Sequence, residues 1–212
     1  MGLIEKIDEG LFRLLVPFEA LTTTVYFAVT KRGTAIIDAA TYSSDVDDYI
    51  LPALQALKIK ENEVRCLLLT HPHSDHAGGA KRLVERLPHL SVCAAYLSDL
   101  PNFTKIVDGE IILDCLQAVV LPGHTENSTA FLDLRSNTLL SGDCLQLKGV
   151  GKYVHGVSDP ERYKASVERL KTMPISRIVA AHEYEPLGSI AEGKEEVEQY
   201  LNACLDALKE NG

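Results

Sequence analysis

Leu67-Leu68-Leu69-Thr70-His71-Pro72-His73-Ser74-Asp75-His76-Ala77-Gly78-Gly79 joins an apolar run of strand length to a cluster of imidazoles and a carboxylate, and then to a glycine pair that opens a helical pattern. Three of the chain's seven histidines and one aspartate fall within six positions here, too dense a cluster for an ordinary polar loop. Neutral imidazole and carboxylate are the donors that borderline divalent metals take. In extended backbone, residues two apart point the same way. His71 and His73 therefore converge on one ion, while the turning chain presents Asp75 and His76 to another. Pro72 biases His71 towards the extended conformation this needs. The stretch predicts a buried strand that delivers a metal site.

Elsewhere in the chain, three further candidates stand at the ends of apolar, strand-like runs. His124 follows Val119-Val120-Leu121-Pro122-Gly123, Asp143 follows Leu139-Leu140-Ser141-Gly142, and His182 follows Ile178-Val179-Ala180-Ala181. A sheet collects ligands at one end in this way. Asp38 closes a shorter run, Thr34 to Asp38, and reads equally as a partner for a ligand imidazole or as a helix cap. Cys144 adjoins Asp143, but its side chain points elsewhere if that segment is extended, so it reads as a buried thiol.

The pattern His71-x-His73-x-Asp75-His76, followed in order by His124, Asp143 and His182, resembles the metallo-β-lactamase fold superfamily. The likeness covers the chain almost end to end. It implies a four-layer α-β-β-α sandwich of the α/β class holding two divalent metal ions, zinc being expected and iron or manganese being alternatives. It also implies that His71, His73 and His124 hold one ion, that Asp75, His76 and His182 hold the second, and that Asp143 bridges them. Such a pair of ions activates water as hydroxide near neutral pH. Asp75 then acts catalytically by orienting that hydroxide.

Two local motifs are similar to those of glyoxalase II, the hydroxyacylglutathione hydrolases that cleave a thioester. Gly149-Val150-Gly151-Lys152-Tyr153 resembles their glycine-rich loop, and His182-Glu183-Tyr184 their second-metal histidine with its tyrosine. The resemblance implies that Lys152 and Tyr184 contact a small anionic thioester or ester. It leaves recognition of glutathione open: Val154 stands where that loop often has an aromatic hydroxyl, and the helical extension that brings further basic residues in those enzymes has no counterpart in these 212 residues. Persulfide dioxygenases, which resemble the same scaffold and use one iron at positions matching His71, His124 and Asp143, are the alternative class, together with lactone hydrolases. Flavodiiron proteins are disfavoured, because His73 stands where they use a carboxylate.

Composition narrows the partners. The net charge of −9 argues against nucleic acid, whose phosphates need a basic face. Two divalent ions would still make the site itself attractive to an anion. Five cysteines in no paired spacing predict reduced thiols instead of a disulfide framework. No secretory pattern opens the sequence, and no run approaches the roughly 20 apolar residues that span a bilayer, so the cytoplasm is the expected compartment and a membrane partner is not expected. Oligomeric state leaves no signal.

Hydrophobic content of 46% supports a sizeable core, and no linker or repeat divides residues 1–212, so a single domain is expected. Leu11 to Pro17, Thr23 to Thr30 and Thr34 to Asp38 read as an antiparallel meander. A helix with caps Ser43 and Ser44 follows, interrupted at Pro52. The ligand strand Cys66 to Thr70, a helix from Gly79 through Leu87 and a strand Ser91 to Ala95 form a unit with parallel strands. Residues 96–109 read as a connection, with a substrate-covering segment as the alternative. Ile111 to Leu113, Leu116 to Leu121, Thr129 to Leu134 and Thr138 to Ser141 make a second meander with a turn at Arg135-Ser136-Asn137. Asp159-Pro160 predicts a capped helix, and Val197, Tyr200, Leu201, Cys204, Leu205 and Leu208 mark an amphipathic one.

Overall fold

The computed structural model describes residues 2–19, 21–147, 156–184 and 186–209. By its internal contacts the chain divides into two compact units, Met1–Ile106 and Val107–Gly212, each with its own sheet and core.

In the first unit, β1 (Leu3–Asp8), β2 (Leu11–Phe18), β3 (Leu21–Thr30) and β4 (Gly33–Ile37) form an antiparallel meander. β5 (Val64–Leu68), β6 (Ser91–Ala94) and β7 (Phe103–Lys105) then add parallel to β4 in turn. β1 and β7 are strands that the sequence reading does not place. Both lie at sheet edges. β1 carries Glu5, Lys6 and Asp8, and its Leu3 is 58% exposed, so no apolar alternation marks it; backbone pairing with β2 decides its conformation. β7 lies inside the segment read as a connection and is three residues long.

Between β4 and β5 run α1 (Ser43–Asp45), a π-helical turn (Val46–Ile50) and α2 (Leu51–Ala56). The interruption expected at Pro52 takes the form of that π turn. Proline lacks the N–H and crowds the carbonyl four residues back, and a widened turn relieves both. Ser43 and Ser44 lie inside the helix. The capping acceptor is Asp45, whose Oδ2 receives the N–H of Thr41 (3.1 Å) and of Tyr42 (2.8 Å). Between β5 and β6 lie α3 (Ser74–Ala77) and α4 (Ala80–Arg86), the latter stopping just before Pro88. Val46, Ile50, Leu54, Leu83 and Leu87 of the helical face pack on Val25, Phe27, Ile36, Leu67 and Val92 of the sheet. Tyr26, Ala28, Ile37 and Leu68, on the opposite face, are also fully buried, which is why these strands read as continuous apolar runs.

In the second unit the sheet order is β13-β12-β11-β10-β9-β8. β8 (Ile111–Ile112), β9 (Leu116–Val120), β10 (Thr129–Asp133) and β11 (Thr138–Gly142) are antiparallel neighbours. The turn between β10 and β11 has Asn137 at φ 53°, a conformation asparagine tolerates, and buried Asp133 receives the Arg135 guanidinium at 2.6 Å. α5 (Pro160–Leu170) returns the chain to β12 (Arg177–Ala180), parallel to β11, and β13 (Ile190–Glu192) leads to α6 (Gly193–Lys209). Asp159 caps α5 as expected, its Oδ1 accepting from Arg162 N at 3.1 Å. Tyr163, Val167 and Leu170 of α5 and Val197, Tyr200, Leu201 and Cys204 of α6 cover Val119, Leu132, Leu139 and Ile178.

Strand direction places the candidate residues. β4 and β5 are parallel, so Asp38 and His71 leave the same end of the first sheet. β9 and β11 are each antiparallel to β10, and β12 is parallel to β11, so all three run the same way and His124, Asp143 and His182 leave one end of the second sheet.

Candidate metal centre

In the first unit the backbone stays extended to His73 (φ −65°, ψ 150°), which begins the short α3. His76 N and Ala77 N donate to the His73 carbonyl (3.1 and 2.9 Å), so the chain turns where the sequence pattern demands two differently aimed pairs of donors. The rings of His71 and His73 are 4.6 Å apart and those of His71 and His76 4.2 Å, while Asp75 Oδ2 is 3.5 Å from His76 Nε2. His71 and His76 are buried, Asp75 is partly buried and His73 is exposed. From β3, the Thr23 hydroxyl donates to the Asp75 carbonyl at 2.8 Å and fixes the turn.

Asp38 organises the buried imidazoles. It is fully buried, and its carboxylate receives Thr70 N (2.8 Å), Thr70 Oγ1 (2.8 Å to Oδ2) and His76 Nδ1 (2.7 Å). The single Thr70 hydroxyl proton goes to Asp38, so Thr70 Oγ1 meets His71 Nδ1, 3.0 Å away, with a lone pair. Both Nδ1 atoms are therefore donors, and in the neutral ring this leaves on Nε2 the lone pair a metal needs. Of the two readings of Asp38, partner of a ligand imidazole is the one the structure supports. Thr70, its relay to His71, is a residue of the candidate site that sequence reasoning missed, although it stands directly before His71. On the other side, the Tyr96 hydroxyl donates to the His71 carbonyl at 3.4 Å; burial, with the Asp38 charge, pushes its ionisation up and keeps it protonated.

The glycine pair after the motif has a steric cause. The 39–41 segment leaving β4 crosses against it, with Ala39 N donating to the His76 carbonyl at 2.7 Å. A Cβ on Gly78 would lie 1.9 Å from the Thr41 carbonyl oxygen, and one on Gly79 2.2 Å from that of Ala39. Gly78→Ala is expected to cost about 3 kcal/mol or more, at or beyond the upper end for overpacking. Urea unfolding measures this; a midpoint equal to the parent's would contradict the close approach.

In the second unit, Asp143 lies between two imidazoles, Oδ2 at 3.6 Å from His124 Nε2 and Oδ1 at 3.3 Å from His182 Nε2. A register shift between Leu140 and Gly142, with Gly142 at φ 51°, re-aims the chain at the strand end and presents this carboxylate. His124 Nδ1 is 2.5 Å from the Gly156 carbonyl, which can only accept, so its lone pair too is on Nε2. Tyr184 is 7% exposed and packs edge-on to His182 with ring centroids 6.2 Å apart. Burial, with Asp143 nearby, keeps its phenol protonated. Lys152 and the glycine-rich loop 149–153 lie outside the described residues. Cys144 is buried in the core, as are the other four thiols, and burial pushes Cys66 and Cys204 up to about 12.

These donors fit divalent metal chemistry. Three imidazoles have Nδ1 committed to a protein acceptor, and carboxylates stand beside His76, His124 and His182.

The metallo-beta-lactamase superfamily model matches residues 19–106. A hydroxyacylglutathione hydrolase of Prochlorococcus marinus is 30% identical over 195 residues, 85% of this chain and 72% of that protein. One from Xylella fastidiosa is 35% identical over 140 residues, 61% of this chain and 53% of its own length. The chain thus spans about half the length of several of the curated relatives it matches. The metallo-beta-lactamase of Pontibacter korlensis superposes with a TM-score of 0.79 at 17% identity, covering 99% of each chain. The chain belongs to the metallo-β-lactamase superfamily and has its fold, with mixed α/β structure and two sheets. Within that superfamily its likeness is to proteins named hydroxyacylglutathione hydrolase.

Proposed function

We propose that this protein is a metal-dependent hydrolase that cleaves a small thioester or ester with water, giving a carboxylic acid and a thiol or alcohol. The carrying observation is the tautomer control just described: Asp38, Thr70 and the Gly156 carbonyl together orient His71, His76 and His124 as Nε2 donors. The residues proposed as ligands are His71, His73, Asp75 and His76 from the first unit and His124, Asp143 and His182 from the second. By the family pattern, His71, His73 and His124 serve one ion, Asp75, His76 and His182 the other, and Asp143 both. Two divalent ions, zinc in the first instance, supply Lewis acidity and a more acidic water when bound.

The chain's own residues then divide the work. Asp75, partly exposed and held through its carbonyl by Thr23, orients the water and accepts its proton. The protonated Tyr184 and the cation of Lys152 bind an anionic substrate. Nucleophilic thiol chemistry is disfavoured by the burial of all five cysteines. We take both units to work as one domain on a small-molecule substrate, in the cytoplasm and without nucleic acid or membrane partners. Among the described residues no helix is long and apolar enough to cross a membrane.

The test is elemental analysis of protein purified without added metal, with thioester hydrolysis and oxygen uptake followed on the same sample. About two zinc-like ions per chain with thioester turnover is the expected result. One iron with sulfide-dependent oxygen uptake would replace the hydrolase reading with oxygenase chemistry.

A further inference from the structure

We propose that Gln146 is a positioning residue for His124, and that it acts by holding the Gly156 carbonyl against the Nδ1 edge of the imidazole. The inference rests on the metal-site reading above and concerns contacts within the second unit alone. Gln146 is 5% exposed, and its backbone is gripped on both sides by one buried phenol: Gln146 N donates to Tyr163 Oη at 2.8 Å, and Tyr163 Oη donates to the Gln146 carbonyl at 3.1 Å. Burial keeps that phenol protonated. The side chain therefore projects from a backbone position fixed against α5.

Its amide closes a ring with the two other groups. Gly156 N can only donate, so it faces Gln146 Oε1, 2.9 Å away, and this orients the amide. Gln146 Nε2 is thereby turned to His124 Nδ1, also at 2.9 Å, while the Gly156 carbonyl sits nearer, at 2.5 Å. The two neighbours ask for opposite tautomers. The carbonyl demands a proton on Nδ1, which leaves Nε2 able to bind metal; the amide N–H favours a lone pair on Nδ1, which protonates Nε2 and disables it. The shorter contact wins, and Gln146 itself secures it by anchoring Gly156. A glycine is required at 156, since a Cβ there would lie 2.8 Å from His124 Cε1.

Two substitutions separate anchoring from competition. Gln146→Glu keeps an acceptor for Gly156 N and exchanges the competing donor for a second acceptor; Gln146→Leu removes both. Nitrogen-15 NMR of the metal-free protein reads the His124 tautomer, and competition titration with Zn²⁺ and Co²⁺ reads affinity. The parent and Gln146→Glu are expected to keep Nδ1 protonated and to bind with equal affinity, or with higher affinity in the Glu variant. Gln146→Leu is expected to lose the single tautomer and to bind about 10- to 100-fold more weakly, the usual effect of removing a supporting partner. A parental tautomer in Gln146→Leu overturns the proposal whatever the affinity, and so does a changed tautomer with parental affinity. Should the leucine variant not fold, Gln146→Met carries the same comparison. A parent that binds neither ion would defeat the metal reading instead, and the metal-free tautomers would still decide the role of Gln146.

Discussion

Asp143→Ala is expected to abolish turnover and to strip metal from the protein while leaving the second unit folded. The carboxylate lies within 3.6 Å of His124 Nε2 and 3.3 Å of His182 Nε2, so it is the anionic donor between two neutral ones. Without it, the second unit offers two imidazoles and no anionic donor, and Asp75 is the one carboxylate left among the proposed ligands. The loss should exceed the roughly 100-fold that marks the upper end for a merely supporting partner. The fold should persist, because the core of this unit, built on Tyr163, Val167, Leu132 and Ile178, does not include Asp143. Asp143→Asn keeps shape without charge and should fail almost as completely. Elemental analysis, turnover and far-ultraviolet circular dichroism on one preparation check this. Parental metal content and turnover in Asp143→Ala would sink the assignment.

Asp38→Ala should act in the opposite manner, destabilising the protein as well as weakening metal binding. Its loss strands the Thr70 N–H and the His76 Nδ1–H in a fully buried setting, at about 1–3 kcal/mol for each unsatisfied group. Asp38 also sits at φ 63°, a left-handed backbone that aspartate tolerates better than alanine because its short polar side chain hydrogen-bonds locally, so the substitution loses that compensation too. Together these approach a large part of the about 5–15 kcal/mol that holds a typical domain folded. Asp38→Asn tolerates the left-handed backbone, but its NH2 must face one of the same donors, so an intermediate loss is expected. For variants that fold, freeing His71 and His76 to change tautomer should weaken metal binding about 10- to 100-fold. Urea unfolding and Zn²⁺ competition measure the two effects separately. A parental urea midpoint for Asp38→Ala would contradict the hydrogen-bonded hub.

The parts of the fold legible in the sequence are those with strong local causes. The central parts of β3 (residues 25–28) and β5 (residues 66–68) are buried on both faces and read as apolar runs, and α5 announces itself by Asp159-Pro160. The edge strands β1 and β7 carry no such mark, because pairing with a neighbour's backbone makes them strands regardless of their side chains. The cap on α1 departs from the sequence reading for a related reason. Serines at 43 and 44 satisfy the local rule, yet Asp45 reaches back to the N–H groups of Thr41 and Tyr42.

The same division runs through the candidate site. Spacing alone marks the His71-x-His73-x-Asp75-His76 stretch as a candidate metal motif, because donor chemistry and backbone periodicity are local properties of the chain. It also places His124, Asp143 and His182 at strand ends, each after its own apolar run. Which nitrogen each imidazole offers is not a local property, and folding alone fixes it. That depends on Asp38, distant in sequence, accepting from His76 Nδ1 and from the Thr70 hydroxyl that faces the adjacent His71, and on the Gly156 carbonyl held by Gln146 against His124. A proton's position on a ring follows from the acceptor folded against it, and for His76 and His124 that acceptor comes from a distant part of the chain.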